Sequence, residues 1–134
     1  MSMKKTFEQI LEIDAVVGQL YKKEPTLKDS KFGYAYNKFY KKNIEKPMEE
    51  FKELMQDNYI DFALEDEKTK QIIRDEKSNT GYAYTKEQLK AMLKKEKEIT
   101  EKFMAKEFEV EPYISALVPE MTEEQKEILT GSIL

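Results

Sequence analysis

Apolar residues recur at helical spacing over three long stretches of this chain. Phe7, Ile10, Leu11, Val17, Leu20 and Tyr21 share one face of a helix predicted over 6–22. Pro25 closes it, and Asp29 or Ser30 caps a longer helix over 30–64. The stripe of that helix reads Phe32, Tyr36, Phe39, Ile44, Met48, Phe51, Met55, Tyr59 and Phe62. Pro47 removes a backbone donor inside it and predicts a kink rather than a break, because the stripe continues on both sides. A third helix, 86–107, carries Leu89, Met92, Leu93, Ile99 or Thr100, and Phe103 on one face.

Between the second and third helices the period changes. "TKQIIRDEKSNTGYAYT" places β-branched and aromatic residues around a polar tip, which predicts a β-hairpin over 69–85. "EFEVEPYI" alternates until Pro112 and reads as a short edge strand or an extended tail. A short helix over 122–130 ends at Gly131, with Ile133 and Leu134 available to dock. The opening "MSMKK" carries no structural signal.

Three helix starts share the pattern Thr-x-x-Gln: Thr6/Gln9, Thr85/Gln88 and Thr122/Gln125. In such a capping box the Thr hydroxyl accepts from a free backbone N–H and the Gln side chain accepts from the cap residue's own N–H.

Charge then orders the helices. Residues 22–46 hold eight Lys and three acids, whereas 49–67 hold eight acids and one Lys. The third helix reverses this order, from lysines at 86–97 to glutamates at 98–111. Doubling the chain back at the hairpin sets opposite signs side by side, while a parallel arrangement sets like against like. Exposed pairs contribute about 0–1 kcal/mol each, so charge selects the orientation and the apolar stripes supply the stability. The predicted fold is mainly α: an antiparallel, coiled-coil-like hairpin of long helices within a single domain over 1–134. A β-hairpin forms its tip, an N-terminal helix packs on it, and a short helix ends the chain.

Composition narrows the chemistry. The 134 residues contain no Cys, His or Trp. Disulfides, thiolate nucleophiles, imidazole bases and Cys/His metal sites are therefore excluded. A net charge of -4 predicts solubility and selects no partner. No apolar run reaches the length of a membrane span, and no signal-peptide pattern is present. The expectation is a cytoplasmic or virion-associated protein with no membrane contact, no cofactor and no enzymatic activity. No phosphate-cradling glycine loop and no serine elbow suggests otherwise.

Candidate binding residues come from surface chemistry. "KFGYAYNKFYKK" interleaves rings with lysines, as single-stranded nucleic-acid binders do. The competing reading is a buried aromatic stripe with solvated lysines. Tyr34, Tyr40, Lys41 and Lys42 are its candidates for partner contact. Arg74, the sole arginine, is a candidate anchor on the predicted hairpin, together with Asn79 at the tip and Tyr82. The row Glu53, Asp57, Asp61, Glu65 shares a helix face but lacks metal-ligand spacing, and reads as a solvated face. "GYAY" occurs at 33–36 and at 81–84, in helical phase first and in alternating context second, so the two copies predict different structural jobs.

The succession "FGYAYNKFYKKNIEKPMEEFKEL", an acidic-tipped hairpin, "YTKEQLKAMLKKEKEITEKFMAKEFEVEPYIS" and "VPEMTEEQKEILTGSIL" resembles a group of short, uncharacterised proteins of bacteriophages and prophages. It covers most of the chain after about residue 30. The paired helices are also similar to prefoldin subunits, from which the C-terminal tail departs. The phage resemblance implies a phage origin and carries over no functional residues. The expectation is a non-enzymatic protein–protein interaction protein that acts as a virion accessory, an assembly chaperone or an inhibitor of a host or defence protein. Its partner is a phage or host protein, and a homo-oligomer is compatible with the reading. The alternative is a single-stranded nucleic-acid-binding module using 22–46.

Overall fold

A computed structural model describes residues 2–134. It is mainly helical, and it divides into two compact units. One unit combines the chain up to Met48 with Met104–Leu134, and the other is Glu49–Phe103.

In the first unit, the N-terminal residues form a strand, β1 (Met3–Thr6), that the sequence did not announce. It pairs antiparallel with β2 (Glu107–Val110), setting Met3 opposite Val110 and Thr6 opposite Glu107. Helix α1 (Phe7–Lys23) starts at the Thr6/Gln9 capping box. The Phe7 N–H, one of those that a helix start leaves for partners outside the helix, donates to the Lys106 carbonyl at 2.9 Å and so ties the helix to the chain beside β2. Phe7, Ile10, Ile13, Val16, Val17 and Leu20 are buried. α1 packs on β1, on a 3₁₀ turn (Pro25–Asp29) and on the C-terminal helix α5 (Glu123–Leu129).

Ser30 caps α2 (Lys31–Phe39), its hydroxyl accepting from the Gly33 N–H. Gly33 is required by packing. A Cβ there would lie 2.5 Å from the Leu27 carbonyl oxygen and closer still to that of Lys28. The predicted kink at Pro47 takes the form of a π turn (Tyr40–Ile44) leading into α3 (Glu45–Phe62). Pro47 offers no N–H to the Asn43 carbonyl and its ring crowds that group. One extra residue in the preceding turn relieves the crowding without ending the helix, and the Glu45 N–H donates to the Tyr40 carbonyl. α5 opens with the Thr122/Gln125 capping box and is followed by Gly131 at φ +85°. Leu129 and Ile133 are fully buried with Ile10, Phe32, Phe39 and Ile44 in the core.

In the second unit, α4 (Lys86–Met104) begins at the third box, where Thr85 accepts from Gln88 N–H and the Gln88 side chain accepts from Thr85 N–H. The α3–α4 contacts run in opposite order along the two helices. Phe51 meets Phe103 with ring centroids 5.2 Å apart, and buried Asn58 donates to the Met92 carbonyl at 3.1 Å. These links are apolar or amide in kind. The ion pair on α4, Lys95–Glu98 at 3.8 Å, lies within one helix and adds nothing to pairing between helices.

The predicted hairpin over 69–85 does not form. Isolated bridges, Glu65 with Ile72 and Arg74 with Tyr82, replace its ladder. The cause is two successive turns where the sequence suggested one. The tripeptide "DEK" occurs at 66–68 and 75–77, and each Asp Oδ1 accepts from the backbone N–H two residues on, Lys68 at 2.9 Å and Lys77 at 3.0 Å. Lys70 (φ +63°) and Gly81 (φ +83°) complete the two turns. The segments between them close a three-membered ring of backbone bonds. Leu64 N–H donates to Ala83, Ala83 N–H to Ile73, and Ile73 N–H to Leu64, at 2.8–3.0 Å.

Candidate functional site

The two "GYAY" copies do different work. The first lies in α2, where Gly33 permits close approach of the 3₁₀ turn. The second is extended, with Gly81 at positive φ ending a turn. Each copy nevertheless borders a cleft in its own unit.

The cleft of the second unit has a volume of about 610 Å³ and is lined by Tyr59, Tyr82, Tyr84, Leu89, Leu93 and the loop 77–80. Its rings are held by their hydroxyls. Tyr84 donates to the Tyr59 carbonyl at 3.0 Å and shares a bond with Thr80 at 2.9 Å. Gln56 donates to the Tyr82 hydroxyl at 2.8 Å. The Tyr59 hydroxyl is bonded to Glu96, and burial first, then that bond, holds its pKa above the ordinary value. Beside these fixed rings Leu89 and Leu93 stand 42% and 50% exposed. Their spacing of four places them on one face of α4, displaced from the face that buries Met92 and Phe103.

Of the sequence candidates in this unit, Asn79 is exposed on the cleft rim. Tyr82 lines the cleft but is only 6% exposed, with Arg74 5.3 Å over its ring and paired with it across the bridge. Arg74 is exposed, but one face of its guanidinium is committed to that ring. Sequence reasoning assigned Tyr59, Leu89 and Leu93 to packed stripes and passed over Tyr84. The four-residue spacing of the leucines was the available signal.

The cleft of the first unit, about 440 Å³, is lined by Tyr21, Tyr34, Tyr36, Tyr40 and Lys28, among others. Tyr36 is buried and donates its hydroxyl proton to Asp14; burial, then that bond, raises its pKa strongly. Tyr21 and Tyr40 pack around Tyr36 with centroids 6.2 Å away in both cases. Burial raises the Tyr21 pKa as well. Tyr34 differs, being 64% exposed with the Lys38 amine 4.8 Å over its ring. The stretch "KFGYAYNKFYKK" thus buries Phe32, Tyr36 and Phe39, half-buries Tyr40, and presents Tyr34, Lys41 and Lys42 to solvent. Lys41 and Lys42 do not line the cleft.

Among the described residues, no group of three or more acidic side chains is placed to hold a metal ion, and no helix is long and apolar enough to cross a membrane. No family model, curated protein or solved structure matches the chain.

Proposed function

We propose that this chain is a non-enzymatic protein-binding protein, phage-encoded, that docks its partner on the cleft of the second unit. In this reading α3 and α4 pair as an antiparallel helical hairpin, and the double-turn segment 64–85 completes the docking surface. The partner is a phage or host protein, engaged by a virion accessory, an assembly chaperone or an inhibitor.

One observation carries the reading: hydrogen-bonded tyrosine rings stand beside two leucines that their own unit leaves uncovered. Tyrosines held in place are among the residue types that dominate interface energies, because their rings cost little side-chain entropy to order, and exposed leucines beside them add apolar area to bury. Leu54, Ile60, Ile72 and Ile73 of the same unit are partly exposed as well. A unit this thinly cored gains more from a partner than a well-covered one.

The test is affinity capture from a bacterial host with the intact chain and with Leu89→Glu/Leu93→Glu. The proposal expects a saturable prey that the double variant loses at least tenfold. Equal capture by both baits contradicts it.

A further inference from the structure

The first unit carries a second surface of different chemistry. Tyr34 stands on α2 as a ridge between two hollows. On one side are Tyr21, Tyr40 and Lys28; on the other are Lys31, Lys38 and Ile114. The Lys38 amine covers one face of the Tyr34 ring at 4.8 Å, and the Lys28 amine sits 5.7 Å from the centre of the Tyr21 ring. Rings with ammonium groups against them present a stacking surface and positive charge at the same place.

Positive charge is dense along this part of the sequence, and Lys28, Lys31 and Lys38 from it line the two hollows, with Asp29 among them. Residues 22–46 carry eight Lys against Glu24, Asp29 and Glu45, in a chain of net charge -4. An asymmetry of this kind marks a surface for a polyanion. A ring that is 64% exposed selects further, because an anion without a planar group gains nothing from it. The hollow of about 440 Å³ beside Tyr34 is of a size for a small planar ligand group.

We propose that this surface binds single-stranded nucleic acid, with a base stacked on Tyr34 and phosphates on Lys28, Lys31 and Lys38. Stacking is sequence-tolerant, since every base has a π-face, so the site discriminates strandedness rather than sequence. The nucleic acid engages the first unit, independently of the leucines of the second.

The experiment is fluorescence anisotropy of the intact chain with labelled oligo-dT of about 15 nucleotides at low salt, a length that covers one single-strand site. Duplex DNA of the same length and polyglutamate of matched charge serve as comparators. The expected result is saturable binding to oligo-dT, at least fivefold tighter than to either comparator. Tyr34→Ala weakens it about tenfold, the loss of one stacked base, and Tyr34→Phe restores it. Lys38→Gln lowers the slope of log K against log salt by about 0.7, the value for one single-strand phosphate. No binding at low salt overturns the proposal. So does equal affinity for polyglutamate or duplex, or indifference to both Tyr34→Ala and Lys38→Gln. Because Tyr34 and Lys38 are exposed, the variants keep the fold, which matching far-UV spectra verify.

Discussion

The side-chain amide of Asn43 brackets the backbone of Glu111, donating to its carbonyl at 2.7 Å and accepting from its N–H at 2.8 Å. Asn43 therefore occupies the position that a neighbouring strand would take at the end of β2. It joins the π turn to the strand at a residue that is 4% exposed. Asn43→Leu leaves both backbone groups of Glu111 without that partner. The expected loss is about 1–3 kcal/mol, since each of the two part-buried hydrogen bonds contributes about 0.5–1.5 kcal/mol. Urea unfolding measures it, and an unchanged midpoint would show the bracket to be ornamental.

Two glycines on helices give opposite signs on substitution. Gly33→Ala drives a Cβ into the carbonyls of Leu27 and Lys28, which are backbone and cannot swing away. It destabilises by about 2 kcal/mol or more, the upper range for overpacking, despite the better helix propensity of alanine. Gly18 on α1 is exposed, and a Cβ added there would meet nothing within 4 Å. Gly18→Ala stabilises by about 0.5–1 kcal/mol. Thermal unfolding of the two variants side by side checks both signs.

Titration adds a pair of predictions of opposite direction. Burial, then the bond to Asp14, raises Tyr36, so the folded chain holds a proton that the unfolded chain releases. The stability from this group is complete below about pH 10, the unfolded tyrosine value, and is lost as pH rises above it. Absorbance in the tyrosinate band should show Tyr36 ionising only with unfolding, which Tyr36→Phe removes from the titration. Asp66 runs the other way. The Thr69 N–H, then the Lys68 N–H, hold its carboxyl below the ordinary value. Its contribution is present above the unfolded value and is lost as pH falls through the folded one. Carboxyl NMR resonances of Asp66 should titrate below those of Asp66 in the urea-unfolded chain.

What the sequence made legible follows physical range. Capping boxes depend on four consecutive residues, and all three stand where Thr-x-x-Gln predicts them. The proline at 47 acts within one turn, and the helix continues through it by widening. The failures lie where distant or competing interactions decide. β1 exists because 107–110 comes alongside it, a pairing between distant parts of the chain that the local "MSMKK" cannot encode. The hairpin failed because two "DEK" turns, each with an Asp Oδ1 on the backbone N–H two residues on, divide a segment that reads as one turn. Charge order was the signal read for α3 and α4, whereas the contacts between them include the Phe51–Phe103 rings, the Asn58–Met92 bond and the Tyr59–Glu96 bond. At the candidate sites, exposed Tyr34 and Asn79 were legible from polar context, whereas buried Tyr82 was not, because Arg74 covers it only in three dimensions.

A photo-crosslinking residue placed at Leu93, with a second chain carrying it at exposed Lys22 of α1 as reference, tests the docking cleft most directly. Irradiated in host cells, the Leu93 chain should yield a discrete protein adduct that Leu89→Glu abolishes, while the Lys22 chain yields none of that mass. No adduct at Leu93, or the same adduct from both positions, would contradict a partner seated on the tyrosine–leucine cleft.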